Sequence, residues 1–154
     1  MQKRIIPDVV SEQDVVTLHT SATIHEAVQA MSTHKIAAVA VTDGAGKLVG
    51  IVSERDMTHR VLACGLSPQA TRVSTIMTQN LQTLRPDASA LDAIKLMLGR
   101  NIRHLPVVSD DGFILAMISM RDLLRSTLRD LDIEILQNPD TTAAQVSDYP
   151  QDNL

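Results

Sequence analysis

Apolar residues along the chain fall into a sequence of periods that is completed once and then begins again. Residues 15–18 form a short β-branched run, after which Ile24, Ala27, Val28 and Met31 recur at spacings that mark one face of an amphipathic helix. Thr23-Ile-His-Glu26 stands at the start of that stripe as a capping box, in which a hydroxyl and a carboxylate satisfy amides that a helix start leaves free. Two apolar runs follow, residues 37–42 and 48–52, separated by Asp43-Gly-Ala-Gly46, whose glycines permit the positive φ of a hairpin turn. Ser53 then opens a second helix, so the predicted order is strand, helix, strand, strand, helix.

The same order returns 66 positions later, the separation of Asp56 from Asp122. In that register Thr17, Leu18, Ala22, Ala27, Met31, Ile36, Val41, Gly46, Ser53, Arg55 and Asp56 each meet an identical residue. Those eleven identities, reached without a gap, identify an internal repeat. The second copy carries its own box in Ser89-Ala-Leu-Asp92, a helical stripe through Leu91, Ile94 and Leu98, and a hairpin turn at Ser109-Asp-Asp-Gly112. Neither copy buries its sheet alone, so the prediction is an α/β (α+β) chain of two β-α-β-β-α repeats sharing one compact core. The expected divisions are a lead-in at 1–13, repeats at 14–65 and 75–136, a turn-rich linker at 66–74, and a polar tail at 137–154. Leu124, Leu128, Leu131 and Ile135 carry the last helical stripe past the point where Gly65 stops its predecessor, which predicts a partner surface.

Composition narrows the function. With 154 residues, 44% hydrophobic and 21% charged, the chain has the apolar content for a core at the size of one domain. A net charge of −4 with scattered basic residues argues against nucleic acid as a partner. One cysteine, Cys64, excludes an intramolecular disulfide and suits a reducing cytoplasm, and no run of eighteen apolar residues offers a membrane span. Phe113 and Tyr149 are the only aromatics, so a planar ligand must be held by aliphatic walls and backbone. Glycine-rich phosphate loops, nucleophiles with an evident base and paired catalytic carboxylates are all missing, and no enzyme is expected. His19, His25, His34 and His59 lack metal-ligand spacing, Cys64 lacks activating neighbours, and the Asp110-Asp111 pair is expected in solvent at a turn. Met31, Met97 and Met117 are expected to fill core gaps.

Each half resembles a CBS motif, and the chain resembles a stand-alone bacterial CBS-domain pair, or Bateman module, over about residues 5–131. The resemblance rests on Thr23-Ile-His-Glu-Ala27, Val41-Thr-Asp-Gly-Ala-Gly46 and Gly50-Ile-Val-Ser-Glu-Arg-Asp56 in the first half. In the second half it rests on Ile76-Met-Thr78, Ile102-Arg-His-Leu-Pro-Val-Val108 and Ile118-Ser-Met-Arg-Asp122. It implies a pseudo-twofold between the halves, and a non-enzymatic regulatory, signal-transducing module that senses AMP, ADP, ATP or another adenosyl compound. A cytoplasmic homodimer acting on an unknown regulated protein is implied too. The alternative is an interaction or dimerisation module that no longer binds nucleotide.

Ser53-Glu-Arg-Asp56 and Ser119-Met-Arg-Asp122 read locally as two more capping boxes. Each also sets an arginine at a strand-to-helix junction, where free amides and the helix dipole favour an anion. The resemblance assigns the aspartates to a ribose diol and makes the sites cross between halves. Ser53, Arg55 and Asp56 would share one with Ile102, Arg103, His104 and Pro106. Ser119, Arg121 and Asp122 would share the other with Ile36, Ala37, Ala38 and Ala40. Because Arg103 and His104 add donors where Ala37 and Ala38 add none, the Asp56 cleft is expected to favour phosphorylated nucleotide. Glu54 is expected to face solvent, since a carboxylate pointing inward would repel a phosphate.

Overall fold

The computed structural model describes residues 3–130; residues 1–2 and 131–154, including Leu131, Ile135 and the tail, lie outside the described span. In the first half β1 (Thr17–His19) runs parallel to β2 (Ala38–Thr42), and β2 is antiparallel to β3 (Leu48–Ser53). Helix α1 (Ile24–His34) packs on this sheet, while α2 (Glu54–Asp56) leaves β3 directly and continues as a π-helical turn over Met57–Leu62. After the short α3 (Val73–Ile76) the second half repeats the plan with α4 (Ala90–Arg100), antiparallel β4 (His104–Val108) and β5 (Ile114–Ser119), and α5 (Met120–Asp130).

The expected α/β architecture is present, and the repeat extends to the hydrogen-bond register. Val39 pairs with Val52 as Leu105 pairs with Ile118, and the ladder shifts after Val41 as it does after Val107. Gly46 and Gly112 turn the two hairpins at φ 81° and 89°, a region in which a Cβ would be strained. The Thr23 box forms as expected: Glu26 N–H donates to Thr23 Oγ1 at 3.2 Å, and Thr23 N–H to Glu26 Oε2 at 2.6 Å. Ser89 caps α4 with its hydroxyl, which accepts from Asp92 N–H at 3.1 Å and donates to Asp92 Oδ2 at 2.6 Å.

One predicted strand is curtailed. Its first-half counterpart β1 pairs three residues with β2, whereas residues 83–84 contribute a single parallel bridge, Leu84 to Val107. Two donors are missing: Pro106 occupies the position of Ala40, and Pro86 that of Thr20, whose N–H closes the first-half ladder on Thr42 O at 3.2 Å.

The segments before each repeat cross over. Ile5 N–H donates to Ala88 O at 2.8 Å, and Val73 N–H donates to Ala22 O at 2.8 Å, the same bond in the two halves. Ile5 is thereby fully buried among Leu84, Leu105, Val107 and Ile118, although it precedes the first repeat. Val73 and Ile76, which precede the second repeat, are buried with Ile24, Val39 and Val52 of the first. Each half thus completes its core with the lead-in of the other.

Candidate functional site

Strands β3 and β5 end on Ser53 and Ser119, and in both halves the chain enters a helix at the next residue. Glu54 N–H donates to Ala37 O and Met120 N–H to Arg103 O, both at 3.0 Å. Each helix start is therefore tied to the segment that leads into the middle strand of its own half. Between the halves lies a cleft of about 990 Å³. It is lined by Ser53, Arg55 and Asp56, by Ser119, Arg121 and Asp122, by Ile36, Ala37 and Ala38, and by Ile102, Arg103 and His104.

Ala40 and Pro106 are not among these lining residues. Ala40 is fully buried between Thr17 and Ile51, its partners on the two flanking strands, and Pro106 is buried opposite Met117 with its carbonyl accepting from Leu84 N–H. The other residues expected for both crossing clefts line this groove together, and Arg55 Nη1 donates across the halves to Asn101 O at 3.2 Å. Met117, expected in the core, is half-buried and lines the cleft, because β5 turns Ala116 and Ile118 inward and the residue between them outward. Glu54, expected in solvent, is exposed but also lines the cleft. Lys35, Arg60 and Arg125, none of them marked by a motif, line it as well, and so does Thr78 of the Ile76-Met-Thr78 motif. For Arg60 a signal existed, since the repeat places Ser126 at the matching position.

Both Ser-x-x-Asp segments form capping boxes. Asp56 Oδ2 accepts from Ser53 N–H and Oγ–H, each at 2.8 Å, and Asp122 Oδ2 accepts from Ser119 N–H at 2.8 Å and Oγ–H at 2.6 Å. The outer oxygens differ, because Asp56 Oδ1 is paired with Arg60 Nε at 3.2 Å. His104 lies opposite Ser119 in the β-ladder, and burial together with Arg103 lowers its pKa below the ordinary 6.5, against opposing pulls from Asp122 and Glu54. The walls between these polar groups come from Val15, Val16, Ile36, Ile51 and Ile102, the aliphatic surface anticipated from the shortage of aromatics.

Two repeats facing across a shared cleft, each with its carboxylate at a strand-to-helix junction, define a paired module of the regulatory class. The chain belongs to the CBS domain family, which it matches twice, over residues 7–63 and 73–129. It is 35% identical over 115 residues to the mitochondrial CBS domain-containing protein CBSX3 of Arabidopsis thaliana, and 32% identical over 116 residues to an uncharacterized protein of Methanopyrus kandleri. Those alignments cover 72% and 75% of the chain but only 55% and 59% of the two relatives. Among solved structures, a putative signal-transduction protein with CBS domains from Burkholderia ambifaria superposes with a TM-score of 0.78 at 30% identity, over 85% of this chain and 98% of that one. The CBS domain pair of protein MJ0100, solved in complex with 5'-methylthioadenosine and S-adenosyl-L-methionine, gives 0.74 at 27% identity over 84% of this chain and 99% of that one. Among the described residues, no helix is long and apolar enough to cross a membrane.

Proposed function

We propose that this CBS pair is a sensor of adenosyl ligands of the AMP, ADP and ATP class, and that occupancy of the cleft shifts the arrangement of the halves and so the state of a regulated partner. The observation that carries the reading is the meeting of Asp56 and Asp122 with Arg55, Arg103 and Arg121 in one aliphatic-walled cleft. Carboxylates suit the two hydroxyls of a ribose, guanidinium groups suit phosphate oxygens, and aliphatic walls suit the faces of a purine. The MJ0100 complex supports the adenosyl part, since that similar pair holds two adenosyl compounds.

Calorimetric titration of the full chain with AMP, ADP, ATP and S-adenosylmethionine tests the reading. Saturable binding that Arg103→Ala weakens more for AMP than for adenosine is the expected result. Heats that never saturate with any of these compounds would overturn it.

A second reading, a protein-interaction or dimerisation module, is favoured by Leu62, Leu98 and Leu124, which are 71%, 70% and 57% exposed. A mass by light scattering that falls from dimer to monomer on Leu98→Glu would support it.

A further inference from the structure

The two carboxylates of the cleft are held differently, and the difference traces to one position of the repeat. Asp56 is buried, with one oxygen bonded by Ser53 and the other paired with Arg60 at 3.2 Å. Arg60 is itself fastened, since its Nη1 donates to Ile76 O at 2.6 Å and to Thr78 Oγ1 at 3.2 Å. The guanidinium is thus a fixed bridge from Asp56 to the last residue of α3 and the segment that follows it.

In the second half the matching residue is Ser126, a short side chain whose hydroxyl accepts from Lys3 Nζ at 3.0 Å. Among the described residues no cation pairs with Asp122, and a cavity of about 270 Å³ opens beside it between α5 and the lead-in. The neighbouring charges differ in the same sense. Glu54 lines the cleft where the second half has Met120, and Arg55 is bonded to Asn101 O, whereas Arg121 makes no hydrogen bond or ion pair among the described residues.

The geometry points to Arg60 as a specificity-determining residue that latches Asp56 and leaves Asp122 to take the ribose diol of the first adenosyl ligand. This rests on the adenosyl reading above and reverses the order that donors counted along the sequence suggest. A diol at Asp56 must displace a charge-assisted bond before it gains its own, whereas at Asp122 it meets an oxygen that no cation of the described residues pairs with. The cost of that displacement is about tenfold to a hundredfold in affinity, enough for the two carboxylates to fill in sequence.

Calorimetry on the full chain, with AMP and 5'-methylthioadenosine as probes, tests the latch. One tight ligand per chain is expected in the unsubstituted protein, and its affinity is expected to fall more in Asp122→Asn than in Asp56→Asn. Arg60→Gln, whose amide still reaches toward the Ile76 carbonyl, is expected to add a second ligand per chain, with affinity at the Asp56 end raised about tenfold or more. Arg60→Lys keeps the charge and is expected to keep one, which decides the matter should the glutamine variant fail to unfold cooperatively. Two equal sites before any substitution, a greater loss of tight binding in Asp56→Asn than in Asp122→Asn, or a folded Arg60→Gln with unchanged stoichiometry would each overturn the latch while leaving the adenosyl reading in place. Absence of binding by every variant would overturn that reading and the latch with it.

Discussion

The two halves of this protein share a backbone and diverge in the side chains that meet a ligand. Register, bulges, hairpin glycines and the bonds from Glu54 and Met120 to the preceding segment all recur at the 66-residue offset. At the cleft, by contrast, glutamate faces methionine across the repeat at 54 and 120, and arginine faces serine at 60 and 126. The backbone is constrained because each ladder bond needs a partner in the same register, and a slip of one residue would turn every core side chain outward. Side chains at the cleft carry no such constraint, so duplication leaves two similar frames free to differ in charge.

The largest expected effect tests whether the halves depend on exchanged lead-ins. Ile5→Ala removes a fully buried side chain from the second-half core and is expected to cost about 2–5 kcal/mol in urea unfolding. Hydrogen exchange is expected to accelerate first at Leu105, Val107 and Ile118. Acceleration confined to the first half would break the crossed assignment.

A smaller effect is expected where the halves differ by one methyl group. Gly50 stands where the second half has Ala116, and a Cβ on Gly50 would run into Met77 Sδ and lie 2.9 Å from its Cγ. Gly50→Ala is therefore expected to destabilise by about 1–3 kcal/mol, and Met77→Ala in the same chain to recover most of the loss. Unchanged stability in the single variant would show that the thioether yields without cost.

The smallest effect is a pH dependence carried by His104. Its native pKa lies below the ordinary 6.5, so the unfolded chain takes up the proton first. Its contribution to stability is complete above about pH 6.5 and declines as the pH falls through that value toward the native pKa. Melting temperature measured between pH 7.5 and 5 is expected to fall less in His104→Gln than in the unsubstituted chain. Equal slopes would remove His104 from the account.

Much of the fold was legible because it is written in local patterns. The capping residues Thr23 and Ser89, the hairpin glycines and the helical stripes each specify geometry over a few positions, and the offset between copies fixes the pairing of halves. The shortened first strand of the second half was not read from its apolar pattern, because that pattern does not register donors: one is missing at Pro106 on the neighbouring strand and the other at Pro86 just past the strand's end. Ile5 was likewise read as lead-in, since its burial depends on a strand about a hundred residues away. At the site, the Ser-x-x-Asp boxes and Arg103 could be marked from motif alone. Arg60 could not, because its meaning depends on Ile76 and Thr78, which the sequence places after the linker.

The exchanged lead-ins also bear on how such a chain arises. A lone repeat would carry a lead-in that fits another copy's core and would leave its own core open at the place where Val73 or Ile5 now sits. Two lone copies trading lead-ins would close both gaps, so the ancestor implied by this geometry is a swapped dimer of half-length chains. Gene duplication followed by fusion turns that exchange into an intramolecular one, raising the effective concentration of each lead-in and freeing the copies to accumulate different residues at their ligand ends.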